Sequence, residues 1–250
     1  SQCSKNLFHT IPSERMLSDS LAQYLSEKKW RKILVLIGPL EIDEAKAKSF
    51  IESAKQFGLK ITDKRNFVLG NDPRARDQND LDFLTGSAKY DAVYIADTHK
   101  EFSYRVPFAT HRPAIVIGSS GLIPRAWHWS YLRHGAPQVH GRFERMHKRR
   151  MTEEDWAAWV AMRAMAEALV RFKDNENFSF SNAFINEEFK LDGSKGPILN
   201  FRPWNRQLRQ PIMLSTENWV TSIAPLNSFV HRENNLDTIG MDNKTSKCAN

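Results

Sequence analysis

The sequence predicts an α/β fold organised around a parallel, Rossmann-like sheet, and three stretches carry that prediction. The first is WRKILVLIGPLEIDEAKAKSFIESAKQFGLKI, residues 30–61, where an apolar branched run gives way to helical spacing and then to a second extended segment. The others are residues 91–96 and 114–118, two short apolar runs that end in small or polar residues. Strands buried on both faces read as continuous apolar runs rather than as alternation.

Taken in order, Leu17, Leu21, Tyr24 and Leu25 mark the buried stripe of a first helix, with Ser13 after Pro12 as its cap. Trp30 leads into the first strand, whose apolar run from Ile33 stops at Gly38-Pro39. Ala47, Phe50, Ile51, Ala54 and Phe57 then recur at helical spacing, with Lys and Glu between them. Gly58 stands where a left-handed helix end falls, and an extended segment follows over residues 59–68. Such a β-α-β unit has parallel strands and a right-handed crossover.

The stretch GNDPRARDQND, residues 70–80, is turn-rich and carries both signs of charge. Leu81, Phe83 and Leu84 suggest a short helix or turn under the sheet. Strands follow at residues 91–96 and 114–118, ending in Asp97-Thr98 and Ser119-Ser120. Parallel sheets place ligands outside the carboxyl ends of their strands, so Gly38, Asp97, Thr98, Glu101, Ser119 and Ser120 are candidate contacts. Ordinary turn chemistry explains the same residues.

Trp127 and Trp129 flank His128 and point to one side if that segment is extended. They form either a flat apolar wall for a ligand or the packing between two lobes. The clearest helix covers residues 152–172, where Thr152 and Asp155 can form a reciprocal cap. Trp156, Trp159, Val160, Ala164, Ala168 and Leu169 supply its apolar face, and Arg163 and Glu167 are spaced to pair. Phe178, Phe180, Phe184 and Phe189 suggest a further short helix. Beyond it, residues 212–214 and 219–223 fit a hairpin or sheet edge. Arg202, Arg206 and Arg209 are read as solvated loop charges, with Arg206 and Arg209 kept as candidates for a carboxylate ligand. From Asn234 onward the tail is polar and expected to be loose unless Cys248 ties it down.

Composition excludes several classes. The 250 residues carry 36 Lys and Arg against 29 Asp and Glu, a net charge of +7. Those cations are scattered apart from His147, Lys148, Arg149 and Arg150, and no basic stripe with aromatic platforms points to nucleic acid. The balance favours an anionic ligand or partner over a metal cation. No run of 18 apolar residues suits a membrane span, and the first residues lack the apolar region of a signal peptide. GxSxG, P-loop, GxGxxG, HExxH and EF-hand patterns are absent, so no cofactor or metal is expected. Asp97 with Glu101 is the best acid/base pair, the basis of a hydrolase alternative. Cys3 and Cys248 are the two thiols; they are either free or a bridge joining the termini. In the chain-entropy view such a bridge stabilises by about 5 kcal/mol.

Phrases along the chain resemble one family: NLFHTIPSERMLSDSLAQYL from Asn6, NDPRARDQND from Asn71, YDAVYIAD from Tyr90, EFSYRVPF from Glu101, GLIPRAWHWS from Gly121, LDGSKG from Leu191 and FRPWNRQLRQP from Phe201. They are similar to the ABC-transporter substrate-binding proteins encoded beside PQQ-dependent alcohol dehydrogenase systems. These belong to the type I periplasmic binding proteins, alongside branched-chain amino acid receptors. The resemblance implies a two-lobed, non-enzymatic periplasmic receptor with a ligand cleft between lobes, docking on an ABC permease. It implies that residues 11–141 are most of the second lobe, 151–186 a return into the first, and 187–250 late strands and tail crossing between them. The family carries about a hundred further residues before the equivalent of Cys3, so the first lobe is expected to be partial. The resemblance also favours a Cys3–Cys248 bridge. Ligands consistent with it are an alcohol-derived acid, an aromatic compound, a cofactor-like anion or a metal complex. An accessory, chaperone-like protein binding a quinoprotein dehydrogenase or its cytochrome is the alternative.

Overall fold

Side chains of a buried strand alternate between two faces, and here both faces are covered. The computed structural model describes residue 4 and residues 6–69 and 79–243. A first helix, α1 (Glu14–Glu27), leads to strand β1 (Lys32–Ile37), helix α2 (Glu41–Gln56) and strand β2 (Lys60–Asn66). Ser13 caps α1, accepting from the Met16 N–H. Gly58 ends α2 at φ +72°, a conformation open to glycine. Strands β3 (Ala92–Ala96) and β4 (Ile115–Gly118) complete a parallel sheet in the order β2-β1-β3-β4. In β1, Ile33 and Val35 face one core and Leu34 and Leu36 the other. All four are fully buried, which is why the run is apolar throughout. Each such burial stabilises by about 1.5–3 kcal/mol.

The first core lies under α1 and α2, where Phe50 stacks on Tyr94 at 3.9 Å. On the opposite face Phe67 stacks on Phe102 at 4.2 Å. There the short helix α3 (Leu81–Gly86) contributes Leu81 and Leu84, one turn apart. Phe83, expected under the sheet, is 75% exposed, because a six-residue helix offers a single inward stripe. Most of the turn-rich stretch before α3 lies outside the described residues.

After β5 (Ile123–Arg125) the chain builds a second region: helices α4 (Ala136–His147), α5 (Glu153–Phe172) and α6 (Phe180–Ile185), then strands β6 (Leu191–Asp192), β7 (Ile198–Phe201) and β8 (Leu208–Arg209). The Thr152–Asp155 cap opens α5. Trp156 stacks near Trp127, and Phe184 packs among Phe8, Phe189 and Phe201. Leu169, expected on the buried face, is 44% exposed beside Met162 and Val170, so α5 has a second, uncovered apolar side.

Strands β9 (Ile212–Ser215) and β10 (Val220–Ala224) form the expected hairpin, and β9 also pairs with β5. This small antiparallel sheet joins the two regions. Met213 enters the core around α5, and the next residue, Leu214, enters the core under α1 and α2. Residues 235–238 form a 3-10 turn that is pinned rather than loose: Gly240 N–H donates to Asp19, and Gln23 donates to Thr238.

Candidate functional site

A cavity of about 170 Å³ lies at the carboxyl ends of the parallel strands. The last residue of β4, Gly118, and the turns after β3 and β4, with Asp97, Thr98 and Ser119, line it; α1 supplies Glu14 and Leu17; α2 supplies Lys46. From the other side come Arg125, the last residue of β5, and Glu153, the first residue of α5. The walls therefore come from both regions of the chain.

The turns are shaped by their own hydrogen bonds. Asp97 is fully buried, and its carboxylate accepts from the backbone N–H groups of Lys100, Phe102 and Ser103. Asp97 N–H donates to Ser119 Oγ at 2.8 Å, linking two strand ends. Thr98 donates through N–H and Oγ1 to Asp43 Oδ1, at 2.8 and 2.6 Å, and its Oγ1 accepts from Lys46 at 3.1 Å. Gly118, at φ +104°, passes so close to β3 that a Cβ would sit 2.4 Å from the Ile95 carbonyl oxygen.

The opposite wall is more charged. Glu153 accepts from Ala126 N–H at 3.0 Å, and Lys195 donates to the Ala126 carbonyl at 2.7 Å, so the two peptide links that flank the Ala126 Cα are each held by a side chain. Lys195 is buried over the Trp156 ring and also donates to Gln210. Burial pushes the Lys195 amine well below its ordinary value, partly countered by Glu153. Burial likewise raises Glu153, offset by Ala126 N–H and Arg125, and raises Glu14, offset by Lys46. Arg125 stands 3.8 Å from Glu153 and 3.9 Å from Glu217.

Of the residues singled out in the sequence, Asp97, Thr98 and Ser119 border this cavity. The others lie elsewhere. Gly38 is buried behind α2, where a Cβ would meet Asp43 at 2.3 Å. Ser120 donates to the Ser103 carbonyl, and Glu101 is exposed. No Asp97–Glu101 acid/base pair is presented, because Asp97 spends both oxygens on backbone donors. Nor do the indoles form one wall: Trp127 is buried by Trp156, while half-buried Trp129 lies under the Arg150 guanidinium at 3.6 Å.

The arginines also depart from expectation. Arg202 and Arg209 are buried on Asp237, and Arg206 donates to the Pro203 carbonyl with its guanidinium over Phe8. Cys3 and Cys248 lie outside the described residues. The charged residues of the lining that sequence reasoning missed are Glu14, Lys46, Lys100, Arg125 and Glu153. Glu153 had one signal, its place in the first turn of the clearest helix.

A larger groove of about 810 Å³ runs between α1, α2 and residues 228–242, away from the strand ends. Among the described residues no cluster of His, Cys, Asp and Glu could hold a metal ion, and no helix is long and apolar enough to cross a membrane.

No protein-family model matches the chain, and no curated protein matches it. Solved structures do. An ABC transporter substrate-binding protein from Sphaerobacter thermophilus superposes with a TM-score of 0.69 at 16% identity, over 89% of this chain and 68% of that one. The leucine-, isoleucine-, valine-, threonine- and alanine-binding protein from Brucella ovis, in its closed conformation, gives 0.66 at 11% identity, over 98% and 66%. A periplasmic binding protein from Burkholderia mallei gives 0.65 at 10% identity, over 99% and 69%. The chain thus spans about two thirds of the length of each. Sheet order, the linking antiparallel sheet and these superpositions together identify the architecture as a type I periplasmic-binding-protein-like fold.

Proposed function

We propose that the chain is the solute-binding component of an ABC transport system, acting in the periplasm without catalysis. The observation that carries this reading is the cavity at the strand ends, walled by Thr98 and Ser119 on one side and Arg125 and Glu153 on the other. A solute held there touches both regions at once, and stronger contacts in a closed arrangement shift the population toward it. In this reading residues 11–141 act as one lobe, residues 151–186 belong to a partial other lobe, and residues 187–250 cross between them. The closed form docks on a membrane permease. Two of the similar structures support it, one being described as a periplasmic binding protein and the other as an ABC transporter substrate-binding protein.

The finer assignment is to PQQ-dependent alcohol oxidation, with a quinoprotein dehydrogenase nearby. It rests on phrases such as GLIPRAWHWS and FRPWNRQLRQP. Two measurements test the proposal. Osmotic-shock fractionation of the native host reports location. Calorimetric titration of the purified protein with amino acids, short-chain acids and aromatic acids reports binding. One-to-one binding by a periplasmic protein is the expected result; a cytoplasmic protein that binds none of these solutes sinks the reading.

The accessory-protein reading has one observation in its favour, the uncovered side of α5 with Met162 66% and Val170 75% exposed. Sedimentation of the protein with the host's purified quinoprotein dehydrogenase tests it. A complex lost in the Met162→Glu, Val170→Glu double variant supports it, and two independent boundaries reject it.

A further inference from the structure

Helix α5 has two apolar sides. One carries Trp156, Val160, Ala164, Ala168 and Phe172, which are buried where α5 packs on α6 and β6. The other carries Met162, Met165 and Leu169, which are exposed and join no core of the described residues. A helix inside one packed layer needs a single apolar side; a second one calls for a further occupant.

The residues along this second side form an ordered row. Glu154, Ala158, Met162, Met165, Leu169 and Lys173 follow at steps of four, four, three, four and four, the spacing of one helix face. All six are exposed. The steps read the same from either end. Turned end for end about a point between Arg163 and Ala164, the row falls on itself: Met162 on Met165, Ala158 on Leu169, and Glu154 on Lys173. A second copy laid antiparallel along it therefore sets thioether against thioether, a small side chain against a large one, and a carboxylate against an ammonium. A two-fold interface has to be self-complementary in this way.

The charges at the two ends are disposed to serve it. Among the described residues neither Glu154 nor Lys173 makes an ion pair, whereas Arg163 and Arg171 beside the row already pair with Glu167. Glu154 lies in the first turn of α5 and Lys173 caps its end. Antiparallel pairing thus also sets the positive end of each helix dipole beside the negative end of the other. The methionines suit a surface that is exposed in the single copy and buried in the pair, because an unbranched thioether adapts to its neighbours.

We infer that the uncovered side of α5 is an interface with a second copy of this chain, the two helices running antiparallel about a two-fold axis between Arg163 and Ala164. Such pairing is independent of the receptor reading, and it gives this side to a second copy rather than to a dehydrogenase. One face of a 20-residue helix, about 30 Å long, is small for an interface, so the pair forms at micromolar rather than nanomolar concentration.

Sedimentation equilibrium of the purified protein alone, from about 1 to 200 µM and with and without reductant, tests this. The proteins are the wild type, Met165→Glu, Glu154→Lys, Lys173→Glu, an equimolar mixture of the last two, and Phe108→Glu, which changes an exposed apolar residue outside α5. The wild type is expected to dimerise in this range, whether or not reductant is present. Met165→Glu weakens the dimer by at least about 100-fold, since it places a charge at the centre of the contact twice. Each charge reversal weakens it by about tenfold, since like charges then stand level at both ends. The mixture of the two reversals pairs as tightly as the wild type, because the reversed residues face each other and so do the native ones. That recovery also shows that both variants are folded. Phe108→Glu leaves the dimer unchanged. A wild type that stays monomeric over the whole range leaves this side to another partner and overturns the inference. So does a dimer that reductant dissolves, a dimer that Met165→Glu leaves intact, or a mixture that pairs no better than its components.

Discussion

The guanidinium of Arg202 lies fully buried against the carboxylate of Asp237, with Nε donating to Oδ1 at 2.7 Å. Arg209 reaches the same carboxylate at 2.9 and 3.0 Å, so one aspartate balances two arginines. Removing a single partner from such a cluster leaves buried charge without compensation. Asp237→Ala is expected to destabilise the protein by about 3–5 kcal/mol, read from urea unfolding. A loss under about 1 kcal/mol would show that water replaces the carboxylate at little cost.

Gly38 acts on the cavity at one remove. Its missing side chain leaves room for Asp43, whose carboxylate holds both donors of Thr98. Gly38→Ala places a methyl group against that carboxylate and is expected to cost about 1–3 kcal/mol through overpacking. It should also weaken solute binding by displacing the Thr98 wall. Unchanged stability and unchanged affinity together would reject this linkage.

The start of α5 carries a pH signature. Hydrogen bonds from Arg149, with further help from Thr152, hold the Asp155 carboxyl below the ordinary carboxylate range. A depressed folded value stabilises the protein above the unfolded value of about 3.9, and that contribution is lost as pH falls toward the folded value. Wild type should exceed Asp155→Asn in stability at pH 7, with the gap shrinking below about pH 4. Thr152→Ala, which removes the reciprocal cap, should cost about 1 kcal/mol. A gap between wild type and Asp155→Asn that is independent of pH would refute the assignment.

Lys195 gives the opposite kind of slope. Burial holds its amine well below 10.5. Between that folded value and the unfolded one, the unfolded chain binds the extra proton, so stability rises with pH. The rise is at most about 1.4 kcal/mol per pH unit. Urea titrations at rising pH should show wild type gaining on Lys195→Met as the pH approaches the unfolded value of about 10.4. Parallel profiles would mean that the buried amine keeps its proton at an ordinary value.

What could be read from the sequence was what neighbouring residues decide. The β1–α2–β2 unit and the Thr152 cap follow from spacing within a few turns of chain. That Asp97, Thr98 and Ser119 stand at strand ends, where the cavity lies, was legible because they follow buried runs. The burial of Arg202 and Arg209 was not, since their acceptor Asp237 lies 35 and 28 residues away. Lys46 was missed for a similar reason, its partner Thr98 being 52 residues distant. Trp127 and Trp129 misled because alternation requires extended backbone, and the chain turns just after β5.

Strand β9 turns Met213 into one core and Leu214 into the other. Neither core can lose its packing there without drawing on a strand that also anchors its neighbour. Melting should therefore pass through a single cooperative transition, with calorimetric and van't Hoff enthalpies in agreement, although the chain builds two regions. The same strand lies between the regions, so bending that reshapes the cavity would proceed by twisting β9 rather than by peeling it from either core.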